Sequence, residues 1–551
     1  MKKIIFILGL AAVVLGTSCS DVLDLNPADR FSPATVWSTT TTADKYVIGL
    51  YSIFGANTEM RGGDAYASPR LSDAYSDILK SSSWNQYNHN FNATLLQETA
   101  FNSNSAGAFE CWSSHYDRIR RENEFLRDAA EFGRKFGEDW LKIRIAEVRF
   151  CRAYAYFMLC RVYGGVILRT EVDGPEQNDK ARSTEEECWG FIINELKELA
   201  PDLPLKWDSD NSGRATQKAA YGLLSRVALY AEKWDVAAQA ARDCATAEGN
   251  LDLSKNGYAK IFELGINSPE VLFAVEFKSS VIDHAYDAYV RPSGDTKELG
   301  KQVYSGFVPT SELVDSYEMA GDGGNFSWEK HGKDPYANRE PRFYATILYN
   351  GADWMGRKIE SFVGGKDGYK AYENAGAAGT TVTGYYLRKY LIDGDKTWVT
   401  SGSGQDWIVL RYAEVLLNKA EALAMENWNK NSAEALQALN DVRARVGLPA
   451  RATADKETFL EYVRHERKVE LAGEGFRYWD LRRWRLAEKV IDGQNVHGVK
   501  ISKQSDGSFT YEQVDADGGH KRIFYDRYYR FAIPLSERSN NSLCTNNDGW
   551  I

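Results

Sequence analysis

The side chains best equipped for chemistry in this sequence are carboxylates, guanidinium groups and aromatic rings. His465-Glu466-Arg467-Lys468 opens like a zinc-protease helix, in which two imidazoles four residues apart hold the metal and the glutamate acts as base. Val469 stands where the second imidazole must be, so no zinc site follows. The seven histidines, His89, His115, His284, His331, His465, His497 and His520, are too scattered for a local ligand cluster. Asp208-Ser209-Asp210-Asn211-Ser212-Gly213 begins like a calcium loop, but Ala219 occupies the twelfth position, where such loops need a bidentate glutamate. It reads as a turn leading into a helix. With no G-x-S-x-G elbow and no P-loop either, neither a metal nor a cofactor is expected.

Glu466 and Glu470 are four apart and share a helix face, close to Arg477, Asp480, Arg482 and Arg483. They read as an acid pair for catalysis or as part of an ion-pair network fastening the last helices. The close alternation of opposite charges favours the network. A glycosidase needs only two carboxylates brought together by folding, and among 77 acidic residues spacing leaves that alternative open.

Aromatic residues make up 13% of the chain, with 15 Trp and 31 Tyr, enough that some must reach the surface. Their planar faces suit the C–H faces of sugars, although most are expected to pack the core. Ser81-Ser82-Ser83-Trp84-Asn85-Gln86-Tyr87-Asn88-His89-Asn90 follows Asp77 without helical or strand period, which predicts an exposed Trp84 and Tyr87. Two readings of Trp84 stand, a ligand platform and a plug for its own loop. Asp77, then Tyr286, Tyr289 and Arg291 in one loop, with Trp328 and Trp354 elsewhere, are further candidates for ligand contact.

Stepping from these residues to their supports, Leu141, Ile145, Val148, Ala153, Phe157 and Val162 recur at helical spacing between Glu138 and Gly164, where Gly164-Gly165 stops the helix. A partner helix over Thr184–Leu199 makes a hairpin. Arg214–Ala231 with Asp235–Thr246, and Trp407–Met425 with Ser432–Val446, form further pairs whose bulky and small residues follow tetratricopeptide spacing. Another helix covers Lys456–Ala472. Between about Asn250 and Asp406 helical period fades, short strands are predicted at Val271–Phe277 and Phe343–Tyr349, and Ala378–Thr381 and Ser401–Gly404 read as flexible loops.

Net charge of −10 argues against a nucleic-acid partner, and a mean hydropathy of −0.46 describes a well-solvated protein. Lys2 and Lys3 precede an apolar run, Ile4–Leu15, too short to span a bilayer, as in a secretory signal. Leu15-Gly16-Thr17-Ser18-Cys19 resembles the lipobox of bacterial lipoproteins, departing from it at Gly16, where a larger apolar residue is usual. The expectation is a signal peptide over 1–18, lipidation at Cys19, a tether over 19–36, and one folded domain over 37–551 with helical repeats at about 117–248 and 405–490. Cys111, Cys151, Cys160, Cys188, Cys244 and Cys544 show no disulfide framework and read as small core hydrophobes.

Several blocks together resemble the SusD-like (RagB/SusD) family of nutrient-binding outer-membrane lipoproteins. They are Cys19-Ser20-Asp21; Ala146–Tyr154 with Tyr163-Gly164-Gly165; Gly213-Arg214-Ala215-Thr216; Arg411–Leu417; and Asn440-Asp441-Val442-Arg443. The most telling is Glu466–Trp484, reading ERKVELAGEGFRYWDLRRW, followed by Tyr529–Pro534. The resemblance covers essentially the whole chain. It implies a mostly α fold of tetratricopeptide-like hairpins with an irregular, loop-rich, short-strand-containing ligand-binding portion. It also implies oligosaccharide capture at the cell surface without cleavage, delivery to a TonB-dependent SusC-like barrel, and a structural role for Glu466, Glu470 and Arg477. Within it, the loop near residue 84 supplies a stacking aromatic and an amide, mapping onto Trp84 and Asn88. A surface glycoside hydrolase and a tetratricopeptide-like protein scaffold are the alternatives.

Overall fold

The computed structural model describes residues 32–57, 72–81, 101–174, 179–252, 257–321, 323–372 and 380–550. Its organising element is α3, Glu138–Tyr163, preceded by α1, Thr40–Leu50, and α2, Trp112–Phe132. From Ala146 to Tyr163 α3 is buried on nearly every face, so it needs neighbours all round. It has them in α1, α2 and α4, Glu185–Leu199. Gly164 ends α3 in a left-handed conformation, with φ +74°, that favours glycine. A Cβ on Gly165 would collide with the Ser183 carbonyl oxygen where the chain turns towards α4. Thr184 and Glu187 then close a reciprocal capping box on α4.

The stack continues through α5, Gln217–Tyr230, α6, Trp234–Thr246, α7, Tyr412–Arg445, and α8, Lys456–Glu470, each packed on the one before. Alanines at 237, 240 and 241 of α6 are buried and let it approach α5 and α7 closely. Non-helical geometry at Asn427, φ −164° and ψ 94°, divides α7 into two helices across a kink, which are the pair expected there. The fold is mostly α, as expected, with no sheet of more than two strands among the described residues. No described helix is long and apolar enough to cross a membrane.

Strands are few and short. β1, Leu79–Ser81, pairs antiparallel with β3, Phe307–Pro309, placing Ser81 opposite Phe307. β2, Val271–Val275, pairs with β4, Trp407–Arg411. Trp407–Arg411 therefore corrects the expected helix start, because pairing with β2 outweighs a local spacing that fits either structure. Phe343–Tyr349 is corrected too: Pro341 starts a short helix to Thr346, leaving only Ile347–Leu348 as strand. Ser403 is not in a flexible loop. It is buried and exchanges main-chain hydrogen bonds of 3.1 and 2.9 Å with His284. Ala378 lies outside the described residues, whereas Thr381 is buried and donates its hydroxyl to the Tyr385 carbonyl. The hairpin β5, His497–Lys503, and β6, Phe509–Asp515, completes the strands used below.

Beneath the helices lies an ionic layer. Arg342 bonds Glu466 at 2.5 Å and Glu470 at 2.9 Å, and Arg411 bonds Glu470 at 2.6 Å and Glu270 at 2.8 Å. Arg445 also binds Glu470, and Arg443 joins Glu466 to Glu318. All these side chains are buried. Burial alone would raise the Glu470 carboxyl, but the Arg445, Arg411 and Arg342 guanidiniums outweigh it and hold it well below the ordinary range. Glu466 and Glu470 thus belong to a network that ties β4 and α7 to α8. Asp73 performs a similar service by accepting the main-chain N–H groups of Gly473, Gly475 and Arg477 at 2.9 to 3.1 Å, which pins residues 72–81 to the turn after α8. The six cysteines from Cys111 onwards are free and buried, as expected.

Candidate functional site

The short helix Tyr286–Val290, the segment before β3 and the turn after the short helix Trp398–Ser401 enclose a cleft of about 580 Å³. Its wall is built on main-chain bonds. Tyr304 N donates to Ala288 O at 2.7 Å and Gly306 N to Tyr289 O at 2.5 Å, holding the Tyr304 segment against the helix. Ser305 and Ser280, on opposite sides, carry φ of +45° and +66°, conformations that persist only where surrounding structure enforces them. The Ser305 hydroxyl accordingly bonds the Arg291 carbonyl.

Within this frame Tyr289 and Tyr304 stack with centroids 5.1 Å apart and planes 25° from parallel. Tyr289 is 5% exposed and Tyr304 is 36% exposed, so the inner ring supports an outer ring that meets solvent. Trp398 also lines the cleft, and its indole N–H has no hydrogen-bond acceptor among the described residues. Gln302, Thr400 and Ser401 add neutral polar groups, and Asp283 and Lys301 add one charge of each sign. His284 closes the floor as a neutral imidazole: Nε2 bonds the Gln405 carbonyl, Nδ1 accepts from Tyr286 N, and burial lowers its pKa. Val281 and Ile282, next in sequence to Ser280, are exposed.

The expected contact residues divide sharply. Trp84, Tyr87, Asn88 and Cys19 lie outside the described residues. Tyr289 lines the cleft. Tyr286 is buried beneath it and donates to the Lys389 carbonyl. Arg291 is also buried, paired with Asp287 at 2.9 Å and sandwiched near Trp354 and Trp398, each 5.2 Å from its guanidinium carbon. Trp354 is buried and donates to Asp295. These three support the wall and present nothing to a ligand, which corrects the expectation for them. Asp77 is corrected likewise, being buried between Arg477 at 2.8 Å and Lys468 at 3.2 Å. Burial opposes its ionisation, but the two cations prevail and depress its pKa. Trp328 is half-buried away from the cleft, donating to Asp315 and resting near Tyr511 of β6. Tyr304 and Trp398 are the aromatic residues that sequence reasoning missed. Trp398 stands just before the flagged Ser401–Gly404 segment, and nothing local distinguishes Tyr304. No group of acidic, histidine or cysteine side chains able to hold a metal occurs among the described residues.

The sequence model described as "SusD family" matches residues 269–550, which include most of the cleft and the ionic layer. The chain belongs to the SusD family. A second model, described as "Starch-binding associating with outer membrane", matches residues 21–229. A SusD-like protein of Bacteroides ovatus is 25% identical over 547 residues, covering 94% of this chain and 90% of that one. SusD-like protein P38 of Formosa agariphila is 25% identical over 89% of this chain and 94% of its own. Among solved structures, a SusD-like protein of Bacteroides fragilis superposes with a TM-score of 0.81 at 27% identity, covering 94% and 98% of the two chains. A SusD-like carbohydrate binding protein of the same species gives 0.76 at 24%, covering 92% of this chain and 99% of that one. A laminarin binding SusD-like protein gives 0.66 at 22% identity, covering 93% of this chain and 100% of its own. The tetratricopeptide-like helical stack is thus that of SusD-like proteins.

Proposed function

We propose that this SusD-family protein is a lipid-anchored glycan-binding protein of the outer-membrane surface, capturing oligosaccharide and passing it uncleaved to a TonB-dependent SusC-like transporter. Cys19 would carry the anchor. The observation that carries the reading is the cleft: a stacked tyrosine pair with one ring in solvent, among the polar groups of Gln302, Thr400 and Ser401. An aromatic face takes the C–H side of a pyranose, while the amide and hydroxyl groups meet its hydroxyls. The carbohydrate-binding and laminarin-binding relatives support the same ligand class. Among the described lining residues Asp283 is the single carboxylate, whereas glycoside hydrolysis commonly needs two, which supports binding over cleavage.

Trp84 joins this site in our reading. Ser81, three residues before it in sequence, pairs with Phe307, three residues after Tyr304, so the two candidates are close in sequence to one strand pairing. We propose that Trp84 and Tyr304 contact one glycan, with Tyr87 and Asn88 beside them. The test is calorimetric titration of the chain truncated after Cys19 against plant and host oligosaccharides, with chromatography of the same mixtures. Binding without products, weakened by Tyr304→Ala and by Trp84→Ala, is expected. Hydrolysis products would replace the reading with a glycosidase, and binding indifferent to both substitutions would move the site elsewhere.

A further inference from the structure

A second place in the molecule lacks partners for its polar groups, far in character from the neutral cleft. On α9, Arg477–Arg483, the residues Tyr478, Trp479 and Arg482 share one face by their spacing of three and four. That face meets Arg161 of α3 and Phe531: the Arg161 guanidinium lies 4.1 Å from the centre of the Trp479 ring, and Arg482 lies 4.6 Å from the same ring and 4.7 Å from Phe531. Arg482 is buried and donates one nitrogen, Nη2, to the Tyr529 carbonyl. Its Nε and Nη1, the Trp479 Nε1, the Tyr478 hydroxyl and the Arg161 Nε are shielded from solvent and have no acceptor among the described residues.

Charge is missing as well as acceptors. Neither Arg161 nor Arg482 has a carboxylate within ion-pair distance among the described residues, and the nearby carboxylates are engaged. Glu185 takes Arg530 through both oxygens, at 2.8 and 2.6 Å, and Asp480 takes Arg467 and Arg483. Burial, together with repulsion from Arg530 and Arg161, lowers the Arg482 pKa to about 10, which still leaves it cationic at neutral pH. Ring faces offset part of that charge, but the N–H groups of a guanidinium lie in its own plane and still require acceptors. Water can satisfy donors; it cannot neutralise a buried cation.

We propose that a small inorganic anion of the chloride type binds here, accepting from Arg482, Trp479 Nε1 and Arg161, and so bridges α9 to α3. The test uses the intact folded protein crystallised in bromide. An anomalous peak within hydrogen-bond distance of Arg482 Nη1 or Nε and of Trp479 Nε1 is expected; density there without anomalous signal is water and overturns the proposal. In solution, bromide added at constant ionic strength against gluconate, an anion too bulky for the site, should raise the melting temperature. Trp479→Phe, which keeps a ring and deletes the N–H, should weaken the apparent bromide affinity about tenfold. Equal melting temperatures in bromide and gluconate would count against the site independently of the crystal.

Discussion

Glu122 lies on α2 with both carboxyl oxygens buried and without hydrogen-bond partners among the described residues. Arg152, the cation with the larger influence on it, spends Nη1 on the Asn123 side chain at 2.8 Å and Nη2 on Glu195 at 2.6 Å. Burial therefore dominates over the attraction of Arg152 and Arg118, and pushes the Glu122 pKa up to about 8 from 4.5. The folded protein holds the proton at neutral pH, whereas the unfolded chain releases it above 4.5. The unfolded state then binds fewer protons, so this group makes stability fall as pH rises from about 4.5 to about 8, with no further change beyond. At pH 7 the penalty is about 3 kcal/mol. Glu122→Gln has nearly the same shape and never ionises, so its stability advantage over the native protein should grow by about 3 kcal/mol between pH 5 and pH 8. Urea unfolding of both proteins at half-unit pH steps measures this difference directly. A difference independent of pH would falsify the assignment of a buried, protonated carboxyl.

The ionic layer makes a steeper demand. Glu470→Ala leaves Arg342, Arg411 and Arg445 each short of a carboxylate and should cost about 3 to 5 kcal/mol in urea unfolding. Gly165→Ala places a methyl group against the Ser183 carbonyl oxygen and should lower stability by about 1 to 3 kcal/mol, read from the thermal midpoint. Tyr304→Ala removes a half-exposed ring and should weaken glycan affinity about tenfold in calorimetry while leaving the melting temperature within a degree or so.

How much of this was legible follows from how local each signal is. The α3 helix and its stop at Gly164 could be read directly, because the helical period, the long apolar run and the glycine pair all lie within thirty residues of chain. The helix over Thr184–Leu199 was equally local, although its capping box appears only in the structure. Trp407–Arg411 was misjudged because its residue types suit either structure, and the deciding partner, β2, lies more than 130 residues earlier. The same holds at the cleft. Tyr286, Tyr289 and Arg291 stood out as a cluster, yet one turn of helix exposes a single one of them to the cavity and buries the others. Tyr304 and Trp398 reach the cleft from segments whose local composition gives no hint that they converge. The carboxylates of Glu466 and Glu470 were readable as structural because their neighbours alternate in charge, a pattern that survives in three dimensions as shared guanidinium contacts.

The three hydrogen bonds that Asp73 accepts from main-chain N–H groups of the turn after α8 join segments 400 residues apart or more. A chain emerging from its N terminus can pair Leu79–Ser81 once Phe307–Pro309 has followed, but the Asp73 carboxylate must wait for Gly473, Gly475 and Arg477. Contacts of such separation close late and slow the overall reaction. The anchoring of residues 72–81 is thus finished by a part of the protein made long after it, so a product truncated before residue 473 loses the Asp73 anchor as well as its own tail.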